Sequence, residues 1–160
     1  MWVVRHPETA RIVAALSVEV DEHSHEGRRL GCEIGKVEDT FQSIQRLAAG
    51  EGASSALRTG ARADADFVPF VVFKLNPNRC DATPSVTLED RIARVAGEVT
   101  AFLTVDPAEY AALPREQRIV PNVKCFYYHS KAASEDKKVF LDEFPKLAPD
   151  WNWHGNVTDA

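Results

Sequence analysis

Met1-Trp2-Val3-Val4-Arg5-His6-Pro7-Glu8-Thr9 opens the chain. Its four apolar residues are cut short by an arginine, a histidine and a proline, the pattern of a buried strand that presents polar side chains where it stops. In open α/β sheets, ligands bind at the carboxyl ends of such strands. An Arg beside a His at that place can hold a phosphate, the Arg through its fork of donors and the His as nucleophile, acid or ligand. The plainer reading, a solvated strand end, stands until other blocks supply partners.

Working outward, Ala10–Val20 carries apolar residues at Ile12, Val13, Ala15, Leu16, Val18 and Val20, which leaves helix and strand open and leans to strand at its end. The polar break Asp21–Gly27 holds His23 and His25 between carboxylates. Imidazole and carboxylate suit a transition metal, but the wider ligand set is missing, and Ser24 as a helix N-cap in a solvated loop is the stronger reading. From Gly27 to Ala49 the positions Leu30, Ile34, Val37, Phe41, Ile44 and Leu47 step by three and four, an amphipathic helix that Gly50 and Gly52 stop. Arg58 and Arg62 follow in a small, polar stretch, where an anion or the nearby Asp64 and Asp66 can balance them. Phe67–Leu75 is the most apolar run and reads as a buried strand with Pro69 at its start. Thr87 then caps a second helix with Ile92, Val95, Val99 and Phe102 along one face. A short helix is expected around Ala108–Leu113, and a third strand over Val123–Tyr128 ends on His129. Lys131–Phe144 has a helical pattern, and Trp151 with Trp153 reads as a packing lid.

The totals fit one domain over residues 1–160 with a real core: 160 residues, 44% hydrophobic and 27% charged. A net charge of -5 without a basic stripe disfavours general binding to nucleic acid or to an anionic membrane surface. Cys32, Cys80 and Cys125 are odd in number and in no CxxC pattern, which favours reduced thiols and gives no zinc signal. No run is long enough for a membrane span and no secretory leader is evident, so an intracellular place, cytoplasmic or organellar, is expected.

Strands separated by helices of these lengths predict an α/β fold with a mainly parallel sheet. On such a sheet Arg5, His6, Arg58 and His129 are expected at or just beyond carboxyl ends of strands, the set that transfer through a phosphohistidine needs.

The blocks together resemble the histidine phosphatase superfamily, the phosphoglycerate mutase-like fold, in a short and divergent form. Its opening signature, a hydrophobic strand and then Arg-His-Gly-Glu-Thr, is matched by Val3–Thr9 with Pro7 for Gly. Asp21–Gly31 is similar to its second block, Ser54–Ala63 to its third, Leu88–Val95 to its fourth, and Val123–His129 to the strand that ends in a second His. The resemblance covers nearly the whole chain and implies a three-layer α/β/α sandwich. It implies His6 and His129 as catalytic residues, Arg5 and Arg58 as phosphate ligands, and hydrolysis of a phosphomonoester or phosphohistidine through a phosphohistidine intermediate. No metal or other cofactor is implied, and the partner is a phosphorylated small molecule or phosphoprotein. The usual acid is missing, because Asn76 stands in its neighbourhood and cannot supply a proton. Asp81 or Glu89 can substitute if the loop folds back. The alternative is a catalytically impaired relative that serves as a scaffold or subunit of a larger assembly, with protein partners.

Overall fold

The computed structural model describes residues 1–20, 30–50, 67–76, 85–127 and 144–157. In order these form β1 (Trp2–Arg5), β2 (Ile12–Val20), α1 (Leu30–Ala49), β3 (Phe70–Leu75), α2 (Leu88–Leu103), α3 (Pro107–Ala112), a 3-10 turn (Arg115–Gln117), β4 (Asn122–Phe126), α4 (Phe144–Leu147) and β5 (Asn152–Val157). The fold is α/β, and the five strands lie in one sheet in the order β1-β2-β3-β4-β5. β2 through β5 are parallel neighbours, whereas β1 pairs with β2 antiparallel.

That direction corrects the expectation drawn from the opening stretch. Arg5 pairs with Ile12, at the amino end of β2. The carboxyl ends of the parallel strands are at the other edge, where Val20 is level with Leu75 and Leu75 with Phe126. β1 is also an edge strand and not a buried one, with Trp2 exposed. Four apolar residues announce a strand, but its direction depends on which partner it finds.

Alternation along β3 sends Phe70 and Val72 to one face and Phe73 and Leu75 to the other. α1 buries Val37, Phe41 and Ile44 against the first face, together with Val123 and Cys125 of β4. α2 brings Val95, with Val99 and Phe102, to the second, beside Leu16, Phe126 and Tyr127. Each such large apolar side chain, once fully buried, contributes roughly 1.5–3 kcal/mol.

Helix ends follow their chemistry. Thr87 and Asp90 form a reciprocal capping box at the start of α2. Gly50, at φ 81°, closes α1 with its N–H on the Leu47 carbonyl. Leu47, expected on the buried stripe, is exposed, and Gln45 is buried in the stretch beside it. The Gln45 side chain acts as a piece of strand: its Nε2 donates to Val68 O at 2.7 Å and its Oε1 accepts from Val68 N at 3.1 Å.

Trp151 and Trp153 stack at 5.8 Å and pack against the α1 face. The strand β5 that carries Trp153 was not expected. The helical pattern expected over Lys131–Phe144 lies outside the described residues apart from Phe144, the first residue of α4. Cys32 and Cys125 are in no disulfide, the first exposed and the second buried. Among the described residues no helix is long and apolar enough to cross a membrane.

Candidate functional site

Arg5 and His6 are committed to the turn that joins β1 to β2. The turn is closed by His6 N–H on Arg11 O and Ala10 N–H on His6 O, both at 2.9 Å, with Ala10 in the left-handed region at φ 56°. Arg5 Nη1 donates to the Ala10 carbonyl at 2.7 Å and so braces that residue. The Glu8 N–H donates to His6 Nδ1 at 3.3 Å. In the neutral ring this contact favours the tautomer with its proton on Nε2, the nitrogen that faces away from the turn's own N–H donor. The cavity beside Arg5 and Arg11 is closed by the last turn of α1, from Leu47 to Gly50. A helix carboxyl end is the negative end of the helix dipole and opposes an anion there.

Arg58, Asp81 and His129 lie outside the described residues, as do His23 and His25. Glu89, the other proposed acid, is exposed in the first turn of α2. From Arg5, level with Ile12, to Phe126, level with Val20, the sheet runs the length of the nine-residue strand β2. At about 3.3 Å per residue that is roughly 26 Å. One phosphoryl group cannot touch both Arg5 and the end of β4. Among the described residues no group of three His, Cys, Asp or Glu is placed to hold a metal ion.

The carboxyl edge gathers a different set. Lys74, buried near the end of β3, pairs with Glu19 of β2 at 2.5 Å, so its charge is matched as a buried cation requires. Asn76 is fully buried just beyond β3. Its N–H donates to Phe126 O at 3.1 Å and its Nδ2 donates to Tyr127 O at 3.0 Å, which ties the exits of β3 and β4 together. The residue so held, Tyr127, has φ 61°, uncommon for a bulky side chain and a place where a fold stores strain. Arg91, one turn into α2, lies over the Tyr127 ring, with its guanidinium carbon 5.5 Å from the centroid. Arg91 is 3% exposed, and its Nη2 donates to Val86 O at 3.0 Å.

The Tyr127 side chain is wholly buried, and its hydroxyl has no hydrogen-bond partner among the described residues. Such a group in a native fold calls for an explanation, since leaving it unpaired costs about 1–3 kcal/mol. Asn76 was singled out in the sequence only as a missing acid. Its function in the fold is to hold the residue after β4. Arg91 entered the sequence reading only as part of the Leu88–Val95 block, yet it shares a four-residue spacing with Val95 and Val99. A cation on the apolar stripe was the legible signal of a buried guanidinium.

The fold and this edge define the class: an α/β protein with a mostly parallel sheet and buried polar residues at the carboxyl ends of its strands. Comparison with family models, with curated proteins and with solved structures finds no match to the chain.

Proposed function

We propose that the chain binds a phosphorylated small molecule at the carboxyl edge of β3 and β4, and that it does so without turning it over through His6. The reading is carried by one observation: the buried Tyr127 hydroxyl has no partner among the described residues, and the ring that bears it lies under the guanidinium of Arg91. A phosphate oxygen accepts from a phenol and is attracted by a guanidinium, so the two side chains match one ligand group in chemistry. The place supports the reading as well, since open parallel sheets bind ligands at this edge.

In this reading the protein is a catalytically impaired relative of the histidine phosphatases. Its sheet is the centre of a three-layer α/β/α arrangement, supported by the burial of α1 and α2 against opposite faces. An intracellular place, cytoplasmic or organellar, belongs to the same proposal, and the reduced state of Cys32 and Cys125 accords with it. Hydrolysis through a phosphohistidine intermediate at His6 is the second reading. The observation on its side is that β1 does end at Arg5, where the Arg-His block begins.

Two measurements separate them. Calorimetric titration with inorganic phosphate is expected to show binding that Tyr127→Phe removes, and equal affinity in the two proteins contradicts the proposed site. Turnover of p-nitrophenyl phosphate is expected to be the same in wild type and His6→Ala. A rate that collapses in the variant favours the hydrolase.

A further inference from the structure

A recess lies at the opposite edge of the sheet, on the α2 face, independent of the proposed phosphate site. It is a cavity of about 510 Å³ between the starts of β3 and β4, β5, the end of α2 and the segment from α3 to the 3-10 turn. That volume is in the range of small-molecule sites. Its walls are mainly apolar, with Val71, Phe102, Leu113 and Pro114 among them, and the Phe102 and Tyr110 rings meet at 5.1 Å.

Two of the polar side chains in the lining are already spent. Asn122 Nδ2 donates to Gln117 O at 2.7 Å, and its Oδ1 accepts from Asn152 Nδ2 at 3.1 Å. The Tyr110 hydroxyl donates to the Phe102 carbonyl. Burial and the neighbouring charge of Glu109 push that phenol up to about 12, so it stays neutral. His154 is held below its ordinary value by partial desolvation of its ring and by Lys124, which keeps the ring neutral at pH 7. Among the described residues of the lining Glu109 is then the only charged group, an exposed carboxylate at the lip with no ion pair among the described residues.

We infer that this cavity takes an amphiphilic amine, its aromatic or branched apolar body against Val71, Phe102 and Leu113 and its ammonium group at Glu109. Charge complementarity selects the cation, because a carboxylate ligand entering the same walls meets like charge at the lip.

The test titrates the full chain by calorimetry with 4-phenylbutylamine, 4-phenylbutanol and 4-phenylbutyrate, which share a body and differ in head group. The amine is expected to bind about fivefold tighter than the alcohol and at least about tenfold tighter than the carboxylate, the scale of a partly exposed ion pair. Glu109→Gln, a change on the exposed surface, is expected to bring the amine to the affinity of the alcohol. Amide spectra should place the perturbed residues at Leu113 and Tyr110, and Tyr127→Phe should leave amine binding unchanged. Three results overturn the inference: carboxylate affinity equal to that of the amine, amine affinity indifferent to Glu109→Gln, or no binding by any of the three compounds.

Discussion

The guanidinium carbon of Arg91 stands 5.5 Å from the centroid of the Tyr127 ring, over a side chain whose hydroxyl is buried without a partner among the described residues. Asn76 fixes the backbone of that tyrosine through its carbonyl. Two segments distant in sequence thus meet at the carboxyl edge of the sheet.

Substituting Tyr127→Phe removes a donor that the ligand-free fold leaves unpaired. The variant is expected to be more stable than wild type by about 1 kcal/mol in the absence of phosphate. It should also lose the rise in melting temperature that a bound ligand gives the folded state. Chemical denaturation with and without phosphate reads both effects. A loss of more than about 1 kcal/mol in the ligand-free variant would mean that the hydroxyl already has a structural partner.

Gln45→Leu strips two hydrogen bonds from the Val68 backbone, which is buried immediately before β3. Leaving that N–H and that carbonyl without partners is expected to cost about 3 kcal/mol. Urea denaturation of the variant measures it. A cost below about 1 kcal/mol would show that water reaches this backbone.

Thr87→Ala opens the capping box of α2, in which the Thr87 hydroxyl accepts from Asp90 N and Asp90 Oδ2 accepts from Thr87 N. The expected loss is about 1 kcal/mol. The Thr87 hydroxyl, which also donates to Asp90 Oδ2 at 2.7 Å, and then the Thr87 N–H hold the Asp90 carboxyl below its ordinary value of 3.8. Their contribution is therefore complete above that value and fades as the pH falls through the lower, folded one. The gap between wild type and variant should narrow in acid.

His154 gives the fold a second dependence on pH. Partial desolvation of its ring, and then the charge of Lys124, hold its imidazole below 6.5 when folded. Between that lower value and 6.5 the unfolded chain binds more protons, so stability is complete above 6.5 and is lost as the pH drops through the folded value. His154→Gln should flatten this part of the profile. Urea midpoints at pH 7.5 and pH 5.5 for both proteins test it, and parallel losses would contradict it.

What was legible in the sequence divides along physical lines. α1 and α2 could be read because an apolar residue every three or four positions has no other stable outcome than a helix with one buried face. β3 could be read because a run such as Phe70–Leu75 needs cover on both faces. β5 was not legible, since the tryptophans of Trp151–Asn156 suggest packing while Gly155 and the asparagines argue against a strand. The decisive loss was the direction of β1. Arg5 and His6 do stand at a strand end, but the antiparallel pairing of Val3 with Ala15 puts that end at the amino edge of the other strands. Direction is a tertiary property, fixed by the turn from His6 to Arg11. Arg91 lay open to a stricter reading, as a charge on a buried stripe.

The most direct test is a crystal structure determined with phosphate present. The account predicts anion density within hydrogen-bonding distance of Tyr127 Oη, on the side of the Arg91 guanidinium. Density at His6 and Arg5, with none at Tyr127, would contradict it.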